Sequence, residues 1–266
     1  MSSRLFTGLK RHIASDIGQT GRLPQIECAL AAFVLSALLL SGCSRPLCSV
    51  HGGFDLQPGD LLFQDLDCGE LCEAIEKVTT GYNGANFTHV GIAAKDANDD
   101  IVVIEAVSAG VKSTKLSVFL QRSIDSAGRP RAVVGRLKAE YRYLIPPALQ
   151  HAKDLLGRPY DKPFVIDNDA YYCSELIYEI FKRANENRPV FQLAPMTFKD
   201  PDTGHIFGAW QKYFDELGMA VPEGAAGINP GGISRSPAID IIRLYGTIDG
   251  WENQKCGLHR PPCGIR

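Results

Sequence analysis

Between Leu155 and Phe181 the chain reads LLGRPYDKPFVIDNDAYYCSELIYEIF, and its second half has a helical period. From Cys173 the apolar positions recur at Leu176, Ile177, Ile180 and Phe181, the i, i+3, i+4, i+7, i+8 series of a helix with one buried face. Asp167 to Asp169 offer N-cap side chains, Glu175 and Glu179 lie early, and Lys182 and Arg183 lie late, the charge order a helix dipole favours. The pattern predicts a helix that opens on a cysteine. A thiol at the positive end of a helix has its thiolate stabilised, and the thiolate is the nucleophilic form. On periodicity alone, Cys173 is equally a small buried hydrophobe.

The pattern elsewhere is mixed. A turn at Leu56 to Asp60 leads into a short buried strand, Leu61 to Gln64, and then a helix, Gly69 to Val78. After the Gly- and Asn-rich break Gly81 to Asn86, strands Phe87 to Ala94 and Ile101 to Val107 flank the polar link Lys95 to Asp100, which predicts a hairpin. Downstream we expect a short helix at Lys115 to Leu120, a strand at Arg131 to Leu137 and a helix at Pro147 to Leu156 with Pro in its first turn. Phe191 to Gly208 reads as loop, with His205 a solvated histidine, followed by a helix from Trp210 to Gly218. Glu223 to Ser236 is a long Gly-rich loop of the kind that walls binding sites, and Ser236 caps a helix expected over Pro237 to Tyr245.

Strand parity puts Val90 and Ile92 on one face and His89 on the other, while Glu105 shares a face with Val103 and Val107. A three-residue turn at Asp96, Ala97 and Asn98, with Asn98 left-handed, brings His89 directly opposite Glu105; a slip of one residue separates them. The pairing matters chemically. A thiol nucleophile needs an imidazole to take its proton, and the imidazole needs an acceptor to fix its tautomer. Glu105 inside the apolar run IVVIEAV also requires a partner if it is buried. The backbone N–H of Cys173 is the natural first oxyanion donor, with Gln64 or Tyr172 as candidates for the second.

Composition narrows the class. The 266 residues are 45% hydrophobic and 22% charged with a net charge of -2, enough for one sizeable core and a poor match to a nucleic-acid partner. Arg4, Lys10, Arg11 and Arg22 precede an apolar run from Cys28 to Leu40 that is short for a membrane span and suits a secretory h-region. It ends in Leu40, Ser41, Gly42, Cys43, which resembles a bacterial lipobox; that resemblance implies cleavage before Cys43, a lipid on it and, with Ser44 following, an outer-membrane anchor if the organism has one. Export leaves Cys48, Cys68, Cys72, Cys173, Cys256 and Cys263 where disulfides persist, with connectivity open. Cys68 and Cys72 lack a companion CxxC or HxxxH, so zinc is not expected.

Two groups of residues then carry a resemblance. Gly59, Asp60, Leu61, Leu62, Phe63, with Thr88, His89, Val90, Gly91, Ile92 and with Glu105, Ala106, resemble the histidine half of NlpC-type cysteine peptidases. Leu156, Gly157, Arg158, Pro159, Tyr160, with Tyr172, Cys173, Ser174, Glu175, Leu176, resemble the cysteine half. Here the cysteine half comes last, so the chain is similar to the circularly permuted papain-like amidases of the YiiX and YaeF type. The resemblance implies an α+β fold, with a small, largely antiparallel sheet packed against helices. It implies Cys173 as nucleophile, His89 as base and Glu105 as the residue orienting it, with no metal or organic cofactor. Tyr-Cys-Ser-Glu stands where the wider NlpC group has Asp-Cys-Ser-Gly, which bears on specificity.

The expected organisation is a lipoprotein signal at 1–42, a lipidated N-terminus and linker at 43–53, an amidase domain at 54–250 and a cysteine-containing tail at 251–266. The expected function is cleavage of an amide bond through an acyl-enzyme thioester, first of all in peptidoglycan stem peptides. Two alternatives stand beside it. One is a lipid acyl hydrolase or transferase similar to lecithin:retinol acyltransferases, and the other is a non-catalytic envelope module.

Overall fold

The structure, a computed structural model, describes residues 54–251. The expectations for the apolar run, Cys43, Cys48, Cys256 and Cys263 lie outside these residues. No helix among the described residues is long and apolar enough to cross a membrane.

The elements run β1 (Leu61–Gln64), α1 (Glu70–Val78), β2 (His89–Lys95), β3 (Ile101–Val107), β4 (Gly110–Lys115), α2 (Leu116–Gln121), β5 (Ala132–Leu137), α3 (Ile145–Asp154) and α4 (Cys173–Ala184). Then follow β6 (Ala194–Pro195), α5 (Gly208–Glu216), β7 (Ala226–Gly227), α6 (Pro230–Ser234) and β8 (Ile239–Tyr245). Six strands form one antiparallel sheet in the order β4-β3-β2-β1-β5-β8, and β6 pairs with β7 apart from it. The fold is α+β, with the antiparallel sheet that the resemblance implied.

Alternation decides what each face of the sheet meets. Leu61, Phe63, Val90, Ile92 and Ile104 share a core cluster with Leu176, Ile177, Ile180 and Phe181 of α4 and Ala148 and Ala152 of α3. Burying such side chains contributes roughly 1.5–3 kcal/mol each, so this packing anchors α4 on β2 and β3. The opposite parity brings Gln64 opposite His89 across β1 and β2, and on this side α2 packs against β3 and β4. A second aromatic cluster of Phe198, Trp210 and Phe214 joins α5 to α1.

Several expectations change. The segment 237–245 is not a helix: β8 pairs antiparallel with β5 around a bulge at Val134/Gly135. Its β-branched run suits a strand, and a partner distant in the chain supplied the hydrogen bonds. β4 was not anticipated, and short elements β6, β7 and α6 interrupt the two segments read as loops. α4 is capped at Tyr172, whose backbone N–H donates to Glu175 at 3.3 Å, rather than by Asp167 to Asp169. Cys68 precedes α1 and forms a disulfide with Cys72.

Candidate active site

Cys173 is the first residue of α4, His89 the first of β2, and Glu105 sits near the end of β3. Parity assigns His89 to the sheet face away from the apolar stripe of α4. Cys173 nevertheless acts on the imidazole closely enough to raise its pKa. Its Nε2 lies 2.6 Å from Glu105 Oε2, which leaves Nδ1 for the thiol. The structure thus brings all three sequence-derived residues into one chain of hydrogen bonds.

The register differs from the one expected. Lys95 pairs with Ile101 rather than with Asp99, and the link 96–100 has Asp99, not Asn98, in the left-handed region at φ 67. Asp96 stabilises this wider turn by accepting from the backbone N–H groups of Asn98 and Asp100. Parity survives the change, so Glu105 stays on the face of His89 but reaches it diagonally. A methyl group built on Gly91 would meet Val103 Cγ1 at 2.5 Å and the Ile104 carbonyl at 3.2 Å, so the glycine lets β3 lie close against β2.

Glu105 is fully buried and fully partnered. Thr114 Oγ1 donates to its Oε1 at 2.6 Å, and Arg122 grips both oxygens, Nη1 to Oε2 at 2.8 Å and Nη2 to Oε1 at 2.6 Å. Burial alone would raise its pKa, yet the bonds from Arg122, His89 and Thr114 hold it down at about 2. Burial likewise opposes the imidazolium of His89, but the bonds to Cys173 and Glu105 raise it to about 9. The arrangement favours a protonated imidazole between Cys173 and the anionic Glu105. Such a pair supplies a nucleophile and then a proton for the leaving amine.

The walls follow from neighbouring residues. Tyr172 and Ser174 flank Cys173 and clamp one backbone unit of the Gly-rich segment: Ile228 N–H donates to Tyr172 OH at 3.1 Å, and Ser174 OH donates to Ile228 O at 2.9 Å. Tyr160 has its phenol pushed up by burial first and by Cys173 next, so it remains unionised. Gln64 Nε2 donates to the carbonyl of Phe119 at 2.8 Å, and Tyr172 OH accepts from Ile228 N–H. His205 lies on an exposed turn. Arg122, Thr114 and Ile228 went unnoticed in the sequence because no local motif marks them.

Residues 55–243 match the family model described as permuted papain-like amidase enzyme, YaeF/YiiX, C92 family. The chain belongs to this family. Its members are papain-like cysteine amidases or peptidases. It is 30% identical over 128 residues to YiiX of Escherichia coli strain K12, a match covering 48% of this chain and 58% of that protein. The fold resembles the crystal structure of "metalloprotein yiiX" from Escherichia coli O157:H7, with TM-score 0.56, 24% identity and coverage of 72% of this chain and 98% of that one. No group of three or more His, Cys, Asp or Glu among the described residues is arranged to hold a metal ion, and Glu105 already carries Arg122. The residues on hand do not fit a metal centre.

Proposed function

We propose that the protein cleaves amide bonds in cell-wall peptides, with Cys173 as nucleophile, His89 as general base and acid, and Glu105 as the residue that orients His89. The observation that carries this reading is the double engagement of the buried His89 ring by Cys173 and Glu105. The thiolate adds to the substrate carbonyl, and the N–H of Cys173 at the start of α4 donates to the oxyanion. His89 then gives its proton to the leaving amine, and water, deprotonated by His89, releases the acyl group from the thioester. Peptidoglycan stem peptides are the favoured substrates, since the lipobox-like Leu40 to Cys43 points to an envelope protein held by a lipid on Cys43. The Cys68–Cys72 disulfide supports an oxidising compartment.

The test is the rate of iodoacetamide labelling of Cys173 against pH, read by mass spectrometry of its peptide, in the wild type and in His89→Ala. We expect labelling to persist well below the ~8.5 of an ordinary thiol and to lose that low-pH limb in the variant. Slow labelling that ignores His89→Ala would sink the hydrolase mechanism. Release of peptides from muropeptides, with acyl lipids unchanged, sharpens the substrate; the reverse pattern assigns a lipid acyl group instead. Incorporation of labelled palmitate, lost in Cys43→Ala, tests the anchor.

A further inference from the structure

Glu105 accepts more than an orienting residue requires. One oxygen contact serves His89, whereas Arg122 alone takes two, at 2.8 and 2.6 Å, in the paired geometry that a guanidinium and a carboxylate prefer. Arg122 is delivered by a built element. It follows α2 directly, its guanidinium lies 5.4 Å from the centroid of the Phe119 ring, and that ring packs 5.9 Å from His89. Gln64, opposite His89 on β1, ties α2 down by donating to the Phe119 carbonyl. The cation therefore sits at the end of a continuous chain, Arg122 to Glu105 to His89 to Cys173.

We propose that Arg122 is a positioning residue that sets the pH window of the Cys173–His89 pair, an inference that rests on the thiol–imidazole mechanism above. With Cys173 as thiolate and His89 as imidazolium, the buried carboxylate leaves the set one negative charge in excess. Arg122 cancels that charge and holds the carboxylate plane on His89. The other groups facing the set are Thr114 and the exposed Lys112 from β4, which stands opposite Glu105, Gln64 from β1, and Tyr160 beside Cys173. Among these, the contacts seen at Glu105 make Arg122 the cation bonded to the carboxylate.

The experiment is the same labelling profile on the full chain, in the wild type, Arg122→Met and Arg122→Lys, with thermal unfolding followed in parallel. Removing the charge should move the acid limb of Cys173 labelling upward by about one pH unit, the size expected for a unit charge near a partly buried site. Arg122→Lys should keep the limb within about 0.3 of its wild-type position, since the charge is retained, while the plateau rate falls severalfold with the loss of the two-pronged contact. A limb unmoved in folded Arg122→Met, with only a lower unfolding temperature, overturns the inference and leaves a merely structural contact. A wild type without a His89-dependent limb overturns the thiol–imidazole pair first, and the inference with it. Arg122→Gln serves the same comparison if Arg122→Met does not fold.

Discussion

Glu105 and Glu175 are both buried carboxylates, one bonded to His89 and the other two residues after Cys173 in α4, and their charges are settled in opposite ways. Glu105 meets Arg122, Thr114 and His89, and these partners outweigh burial to hold it near 2. Glu175 accepts from the backbone N–H of Tyr172 at 3.3 Å and faces Asp161, Glu179 and Asp167; burial and these like charges push it up to about 8. Burial does not decide ionisation; the partner set does. One glutamate is an obligate anion serving the histidine. The other is a neutral cap on the helix that presents the cysteine.

The largest effect should come from breaking the first of these. Glu105→Ala leaves the guanidinium of Arg122 without its anion and His89 without its acceptor, and a loss of about 3–5 kcal/mol is expected for a broken buried pair. Denaturant unfolding at pH 7 measures it, and a loss below about 1 kcal/mol would show the network to be slack. Because Glu105 is depressed in the fold, its contribution is present above 4.5 and disappears as pH falls toward 2. The wild type should therefore lose stability on acidification through that window, and Glu105→Gln should lose less.

A smaller change is expected on the alkaline side. His89 is raised in the fold, so its stabilisation is complete below 6.5 and is lost as pH rises through about 9. His89→Gln should make the decline of stability across that interval less steep. A profile that declines equally in the variant would mean that His89 stays neutral in the folded protein.

The third effect is a destabilising one and belongs to Glu175. A carboxyl raised from 4.5 to about 8 makes folding less favourable as pH climbs between those values, because the unfolded chain ionises first. Glu175→Gln keeps an acceptor for the Tyr172 N–H and removes the charge. It should match the wild type at pH 4 and be the more stable of the two at pH 9. Equal stability at both pH values would place Glu175 among ordinary solvated acids.

The contrast also marks what could be read in advance. Cys173, His89 and Glu105 were legible because each interrupts a regular pattern: a cysteine opens a helical stripe, and two ionisable residues sit in apolar strands. Glu175 was read as a favourable early charge and as the last residue of the Tyr-Cys-Ser-Glu core, not as a buried neutral acid. Its burial depends on Tyr172 and the packing of α4, and neither leaves a trace in the local period.

By itself the sequence determined the buried stripe of α4, the hairpin of β2 and β3, and the shared face of His89 and Glu105. These are consequences of periods of 3.6 and 2.0, which a one-dimensional pattern carries. Tertiary structure decided the rest. It chose the wider turn 96–100 and the diagonal contact, recruited β8 to β5, brought Arg122 and Thr114 to one carboxylate, and seated Ile228 between Tyr172 and Ser174. Each of these is a pairing between residues whose partner is named by the closing of the chain on itself, so no window of sequence contains it.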